Sequence, residues 1–113
     1  NIIIQASERI RIDGGLFAAR GGGEGGGGTI TIQASEGIRI EGGTVSTRAN
    51  GDGGGGNITY ESDVVQLRNN TTESTAVYGP GGTITIKAND FRKLNSTVDV
   101  TSQFGQNGTV ILP

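Results

Sequence analysis

The chain has 113 residues, a formal net charge of −2 at pH 7 and 22 glycines, a glycine share well above the usual value of roughly 7%. It contains no cysteine, histidine, methionine or tryptophan, which excludes disulfides, zinc sites of the ordinary type, the common haem ligands and Cys–His or Ser–His nucleophiles. The negative charge argues against nucleic acid as a partner, and no apolar run approaches the roughly 20 residues that span a membrane. Because Asn1 stands where an initiator methionine would be, we expect a processed or excised segment.

The sequence repeats itself with a period of 26–28 residues. The copies occupy residues 1–28, 29–56, 57–82 and 83–108, with the start of a fifth at 109–113. The first two copies match without gaps at 17 of 28 positions, and the later copies are weaker. Repetition at this period is typical of solenoids. We therefore interpret 1–113 as a single domain and as a fragment of a longer rod or filament.

Each copy predicts three short strands. The first alternates β-branched apolar and polar residues, as in the Thr-Ile-Thr-Ile runs at 29–32 and 83–86. The second is an apolar pair around one polar residue, as at 38–40, and the third is clearest at 44–47 and 97–100. Tight turns between the second and third strands are predicted at Gly14-Gly15, Gly42-Gly43, Asn69-Asn70 and Asn95-Ser96, because Gly and Asn tolerate positive φ. A Gly-rich loop closes each copy, at 21–28, 51–56, 79–82 and 105–108.

A copy of this size cannot bury its apolar side chains alone, and no segment shows the 3.6-residue period of an amphipathic helix. Stacked copies solve this problem, because equivalent strands then pair in parallel about 4.8 Å apart. We therefore predict an all-β fold, a right-handed parallel β-helix (β-solenoid) of about four coils with three short strands each. A β-sandwich or barrel is the alternative, but neither requires a constant period. The predicted core is Ile2, Ile4, Ile10, Ile12, Ile30, Ile32, Ile38, Ile40, Ile58, Tyr60, Val65, Leu67, Ile84, Ile86, Val110 and Leu112.

Acidic residues recur at the bend after the first strand. They are Glu8, Glu36, Asp63 and Asp90. Stacked carboxylates suit Ca²⁺, or the acid and base of a polysaccharide-cleaving enzyme, with Arg9, Arg11 and Arg39 near enough to hold a uronate. The interpretation we favour is a solvated lattice in which these acids and arginines neutralise one another.

The Gly-rich loops offer a second candidate site, for phosphate or Ca²⁺. They lack the lysine and the helix of a phosphate loop, and Ile58 stands where a Ca²⁺-binding nonapeptide would need aspartate, although Glu24 and Asp52 precede the glycine runs. We therefore predict flexible connecting loops, and we assign no catalytic, cofactor-binding or metal-binding residue and no cofactor.

Several stretches carry a resemblance to a known family. Gly27–Ala34 and Gly81–Ala88 share the pattern Gly-Gly-Thr-Ile-Thr-Ile-x-Ala, Gly55–Tyr60 has a shortened form, and Ser96–Val110 reads STVDVTSQFGQNGTV. These stretches resemble the β-helical exoproteins of two-partner secretion, the filamentous-haemagglutinin family, and above all its cyanobacterial haemagglutination-domain surface proteins. The resemblance covers essentially the whole chain and implies a secreted, rod-like protein used for adhesion, aggregation or filament building.

We therefore expect a structural or adhesive segment of a secreted bacterial surface protein or extracellular filament, without catalysis. The expected partners are neighbouring coils or identical chains in a homo-oligomer or filament, and then surface glycans or receptors on host cells, but not nucleic acid. Two alternatives stay open. One is a polysaccharide lyase or hydrolase on the same fold, and the other is a filament subunit whose ends stack on identical chains.

Overall fold

A computed structural model describes residues 2–21, 28–49 and 53–111, with only the backbone at 16–21. These residues form thirteen β-strands and no helix, and so contain no helix able to cross a membrane. The strands are β1 (Ile2–Ala6), β2 (Arg9–Asp13), β3 (Leu16–Gly21), β4 (Thr29–Ala34), β5 (Gly37–Glu41), β6 (Thr44–Ala49), β7 (Asn57–Glu61), β8 (Val64–Arg68), β9 (Thr71–Ala76), β10 (Thr83–Lys87), β11 (Asp90–Leu94), β12 (Thr97–Asp99) and β13 (Thr109–Ile111).

The strands form three parallel sheets. Sheet A has the order β1-β4-β7-β10-β13, sheet B the order β2-β5-β8-β11, and sheet C the order β3-β6-β9-β12. Every strand therefore pairs with the equivalent strand of the next coil, in a molecule that measures 38 × 22 × 22 Å. The predicted parallel β-solenoid of about four coils, with three strands in each, is confirmed.

Along the strands of sheets A and B, alternate side chains point into the solenoid. Equivalent aliphatic side chains of successive coils stack there in columns. Ile32, Tyr60 and Ile86 lie in register in sheet A and are essentially inaccessible to solvent. The predicted core residues that are buried are Ile10, Ile30, Ile32, Ile38, Ile40, Ile58, Tyr60, Val65, Leu67, Ile84 and Ile86. Their burial confirms that the period-2 pattern of each copy marks the inward face.

The remaining predicted core residues lie in the outer coils. Ile2, Ile4 and Ile12 are partly buried and pack against the core. Val110 pairs with Ile84 as expected, but it is 36% exposed because β13 is the outermost strand of sheet A. Leu112 lies outside the described residues. Burial in the outer coils is therefore incomplete where only one neighbouring coil is present.

The predicted tight turns have the expected backbone geometry at most positions. Both residues of the Gly14-Gly15 and Gly42-Gly43 pairs have positive φ, as do Asn69 and Asn95 at φ values near 50°. Among the described non-glycine residues, these two asparagines alone have positive φ, so Asn70 does not share this geometry. Asn70 is instead buried, and its Nδ2 donates hydrogen bonds to the carbonyls of Gly42 and Gly43 in the preceding turn. It therefore bonds one turn to the next.

The inward face of sheet C is polar in the middle coils, which the sequence analysis did not predict. Thr72 Oγ1 donates to Asn70 Oδ1 at 2.8 Å, which leaves the Tyr60 phenol to donate to Thr72 Oγ1 at 2.9 Å. Burial raises the pKa of the Tyr60 phenol, although the Thr72 hydrogen bond opposes the shift, so the phenol remains a neutral donor. The hydroxyl groups of Tyr60 and Thr72 thus both have a partner, as buried polar groups require.

A second hydrogen-bonded chain on the same face connects sheet C to the Gly-rich loops. Thr47 Oγ1 donates to Ser74 Oγ at 2.8 Å, and Ser74 Oγ donates to the Gly56 carbonyl at 2.6 Å. The Gly82 amide in turn donates to the Ser74 carbonyl at 3.0 Å. A Cβ at Gly82 would overlap both Ser74 Oγ and the Gly56 carbonyl, so only glycine fits.

The prediction of flexible connecting loops is wrong for two of them. In 79–82 and 105–108 a Cβ at Gly81 or Gly108 would overlap neighbouring backbone, and Gly81 and Gly108 also donate amide hydrogen bonds to adjacent coils or strands. These loops are close-packed parts of the solenoid. Residues 22–27 and 50–52, with Glu24 and Asp52, lie outside the described residues.

The outermost strand of sheet B, β11, has a charged residue at an inward position. Lys93 of β11 pairs with the buried Leu67 of β8, so the column that contains Ile12, Ile40 and Leu67 ends in an ammonium group. β11 is the outermost strand of sheet B, and the Lys93 side chain is exposed. Inward-pointing charges on edge strands are one way in which proteins prevent edge-to-edge pairing.

Because the core is stacked, we expect the effect of truncating an isoleucine on the free energy of unfolding to depend on how deeply that isoleucine is buried. Replacement of Ile32 by alanine removes a fully buried side chain, and we expect it to lower the free energy of unfolding by about 2–5 kcal/mol. Ile3→Ala is the matched control, because Ile3 is 63% exposed on the outer face of β1, and its effect should stay within about 0.5 kcal/mol. Urea denaturation monitored by circular dichroism checks both, and equal effects would contradict the stacked-column arrangement.

The close packing of the glycine loops gives a second prediction. Gly82→Ala forces a methyl group into Ser74 and Gly56, so we expect a loss of about 1–3 kcal/mol or more. Gly37→Ala, in β5, has space for the methyl group and an ordinary φ, so it should be neutral or stabilising by about 0.4–1 kcal/mol. Thermal unfolding of the two variants beside the parent chain measures the difference, and a harmless Gly82→Ala would show that this loop is not packed against sheet C.

Candidate functional site

The predicted acidic column is real over the first two coils. The Glu36 amide donates to the Glu8 carbonyl at 2.7 Å, so these residues occupy equivalent places. Asp63 directly precedes β8, as Glu36 precedes β5. Among the described residues, however, no three acidic side chains come close enough together to hold a metal ion.

The fourth member of the column, Asp90, was placed wrongly. Asp90 is the first residue of β11 and pairs with Val64, whereas the residue equivalent to Asp63 is Asn89. The Asn89 Nδ2 donates to Asp63 Oδ1 at 3.3 Å, and Asp90 forms an ion pair with Arg92 at 3.1 Å. In the next coil an amide, that of Asn89, therefore takes the place equivalent to Asp63. The predicted row of acids is interrupted there.

The outer face of sheet B is the charge lattice that the sequence favoured. Arg11 and Arg39 lie in register, and Glu41 forms ion pairs with both, at 3.8 Å and 2.6 Å, and with Arg68 at 3.3 Å. The hydrogen bond from Arg39 and the charges of all three guanidinium groups hold the pKa of the Glu41 carboxyl below its usual value of 4.5. One carboxylate thus relieves the repulsion between the stacked Arg11 and Arg39, and it also pairs with Arg68, which lies in register with Glu41.

Two shallow grooves follow the outer surface along the coils. One, of about 690 Å³, runs along the first bend, and its polar lining includes Gln5, Gln33, Glu61, Asp63, Lys87 and Asn89. The amide of Gln5 donates to Gln33 Oε1 at 2.8 Å, and Gln33 donates to Glu61 Oε2 at 3.4 Å. The other, of about 390 Å³, lies beside Arg9, Arg11 and Arg39, where Arg9 also pairs with Glu36 at 3.7 Å. Both grooves present hydrogen-bonding groups that recur from coil to coil, and the first is also lined by two acids and a lysine.

An exposed aromatic pair lies at the corner that follows sheet C. The Tyr78 and Phe104 rings stack with centroids 5.3 Å apart and an interplanar angle of 17°. The side chains are 57% and 66% exposed. We call these two residues, with the loops 77–79 and 103–105 that carry them, the aromatic corner. No alternating pattern marks this pair in the sequence, although the two residues lie 26 positions apart, which is the period of their copies.

Comparison with known proteins yields no match for this chain: no protein-family model, no curated protein and no solved structure is similar to it. A function for this chain must therefore be inferred from its residues and their geometry.

The lattice around Glu41 predicts a pH dependence of stability. Because the folded-state pKa of Glu41 lies below its unfolded value, the stabilisation is fully present above pH 4.5 and is lost as the pH falls through the lowered pKa. Glu41→Gln should remove part of this acid dependence and should destabilise the fold more at pH 7 than at pH 3. Unfolding free energies across that range measure the effect, and parallel pH profiles for parent and variant would contradict it.

Proposed function

We propose that this chain is a structural and adhesive segment of a secreted bacterial surface rod or extracellular filament. The observation that carries the proposal is the unbroken register through successive coils, from Ile2 to Val110 in sheet A. Main-chain ladders and a continuous core along one axis give a stiff spacer, because each coil is held by both of its neighbours. The Gly-Gly-x-Ile-Thr-Ile stretches further support membership of the filamentous-haemagglutinin-like exoproteins of two-partner secretion.

The outer surface supports adhesion through many weak contacts. Residues of one type recur along the rod, as in the threonine column Thr31, Thr59 and Thr85 and the paired Arg11 and Arg39. A ligand that repeats along a cell surface meets the same side chain at each coil. Multivalent attachment of this kind raises the overall affinity by about 10²–10⁴ without any single strong site.

A polysaccharide lyase or hydrolase is the alternative that the carboxylates at the first bend suggest. Such an enzyme needs an acid and a base that flank one bond. Glu36 is engaged with Arg9 and is 58% exposed, and Asp63 accepts a hydrogen bond from Asn89. We therefore assign these side chains to the surface lattice and propose no catalytic step.

Self-stacking of identical chains is the other alternative, and Lys93 weighs against it. An identical chain laid on sheet B at β11 would place β2, with Ile10 and Ile12 at the inward positions, over β11, and it would offer Lys93 no acidic partner there. An ammonium buried without a partner costs several kcal/mol. A following coil of different sequence can supply an acidic side chain at this place, so we favour a rod made of one continuous chain over a stack of separate subunits.

Adhesion of coated beads to cells tests the proposed function. Beads that carry the folded chain at several densities should bind bacterial or host cells, and binding should rise more steeply than linearly with density. Beads coated with Ile32→Ala protein, denatured before coating, are the control for nonspecific adsorption. Binding no greater than that of this control would contradict the adhesive role.

Two further measurements separate the alternatives. Release of unsaturated or reducing ends from polyuronates, lost on Glu36→Gln or Asp63→Asn, would replace adhesion with catalysis. Continuous thin fibres in electron micrographs of the isolated chain would favour self-stacking, whereas we expect short separate rods.

A further inference from the structure

We propose that the aromatic corner, Tyr78 and Phe104 with loops 77–79 and 103–105, is a binding site for neutral saccharides. The inference rests on the proposed adhesive function and names the ligand class for one place on the rod. The two rings stack on one another, yet more than half of each side chain stays exposed. In the part of the chain that the structure describes, the ring surface that the neighbour leaves uncovered is accessible to solvent.

The rings sit on a rigid backbone. The Phe104 amide donates to the Val77 carbonyl at 2.8 Å. Ser102 Oγ donates to the Gly79 carbonyl at 2.6 Å and accepts from the Gly105 amide at 2.8 Å, which joins the two loops. A Cβ at Gly105 would lie 2.5 Å from the Gly79 carbonyl oxygen, so the loops are also in close contact. A corner fixed in this way binds a ligand with little loss of conformational entropy.

The two segments that carry the rings, residues 76–86 and 100–111, contain no acidic or basic side chain, in contrast to the arginine and glutamate lattice of sheet B. An anionic glycan or a nucleic acid would find no cation in these two segments. The ligand chemistry that fits is therefore neutral.

Polar residues suited to hydroxyl ligands lie close to Phe104 in the sequence. Gln103 and Gln106 are exposed and carry amides, and Thr101 carries an exposed hydroxyl group. The C–H groups on one face of a pyranose ring pack on the electron-rich face of an aromatic ring, while its hydroxyl groups hydrogen-bond to neighbouring amides. A protein partner is a poorer fit, because a stable protein interface buries about 800 Å² on each partner and two side chains cover far less.

Tyrosine fluorescence offers a direct test. The chain has two tyrosines and no tryptophan, and Tyr60 is buried, so the Tyr60→Phe variant leaves Tyr78 as the only reporter. We expect saturable changes in its emission on titration with neutral oligosaccharides of glucose, mannose or N-acetylglucosamine. Saturation-transfer NMR on the parent chain, with the same oligosaccharides, provides a second readout that does not depend on the variant.

Matched variants locate the site. Phe104→Ser should weaken binding at least tenfold, which corresponds to about 1.4 kcal/mol, whereas Phe104→Tyr should retain it. Leu94→Ser is the control, because Leu94 is a similarly exposed apolar side chain (51%) on β11, and it should leave binding unchanged. Tyr78→Ser, followed by NMR, should match the loss seen with Phe104→Ser, and circular dichroism verifies the fold of every variant.

The possible results separate this inference from the proposed function. Absence of saturable binding by any neutral oligosaccharide overturns it, as does binding that survives both Phe104→Ser and Tyr78→Ser. Binding of polyuronate alone, weakened by salt and by Arg11→Gln, would move the site to sheet B. Bead adhesion that persists in Phe104→Ser would support the adhesive function and show that it does not need this site. Saccharide binding without bead adhesion would support the site and contradict the adhesive function.

Discussion

The vertical superposition of equivalent residues is the constraint on which the structure depends. Neighbouring strands in a parallel sheet lie about 4.8 Å apart, so the nearest neighbour of each side chain is the residue in the same place one coil away. An isoleucine gains from such a neighbour, as in the column of Ile30, Ile58 and Ile84. An arginine does not, and the stacked guanidinium groups of sheet B are tolerated because Glu41 lies among them. The same repetition that builds the core therefore forces the surface to be either neutral or internally compensated.

The three sheets meet this constraint in different ways. Sheets A and B stack aliphatic groups, whereas the middle coils of sheet C stack hydroxyl groups that form hydrogen bonds with one another and with the turns. Because Ser74 and the Gly-rich loops approach each other so closely, the glycines of the Gly-Gly-x-Ile-Thr-Ile stretches have a steric role. The pattern that carries the family resemblance thus also describes how a loop packs against the last sheet of its own coil.

The sequence predicted sheets A and B well because strict alternation reports which face is buried. It could not reveal the polar interior of sheet C, since a run such as Thr71–Ala76 has small polar residues on both faces. The position of Asp90 was wrong because the distance from Asp63 is 27 residues, whereas the period of that copy is 26, and the period leads to Asn89. The aromatic corner was missed because Tyr78 and Phe104 lie outside any alternating strand, where the period alone relates them.

Lys93 makes the two edges of sheet B chemically unequal. At one edge the outermost strand, β2, places Ile10 and Ile12 at inward positions, and at the other edge β11 places Phe91 and Lys93 there. A polypeptide that extends the first edge needs only apolar side chains, whereas one that extends the second must supply a counter-ion or retain water for the amine. The solenoid therefore has a chemical direction along its axis, because each edge of sheet B would accept a different kind of neighbour.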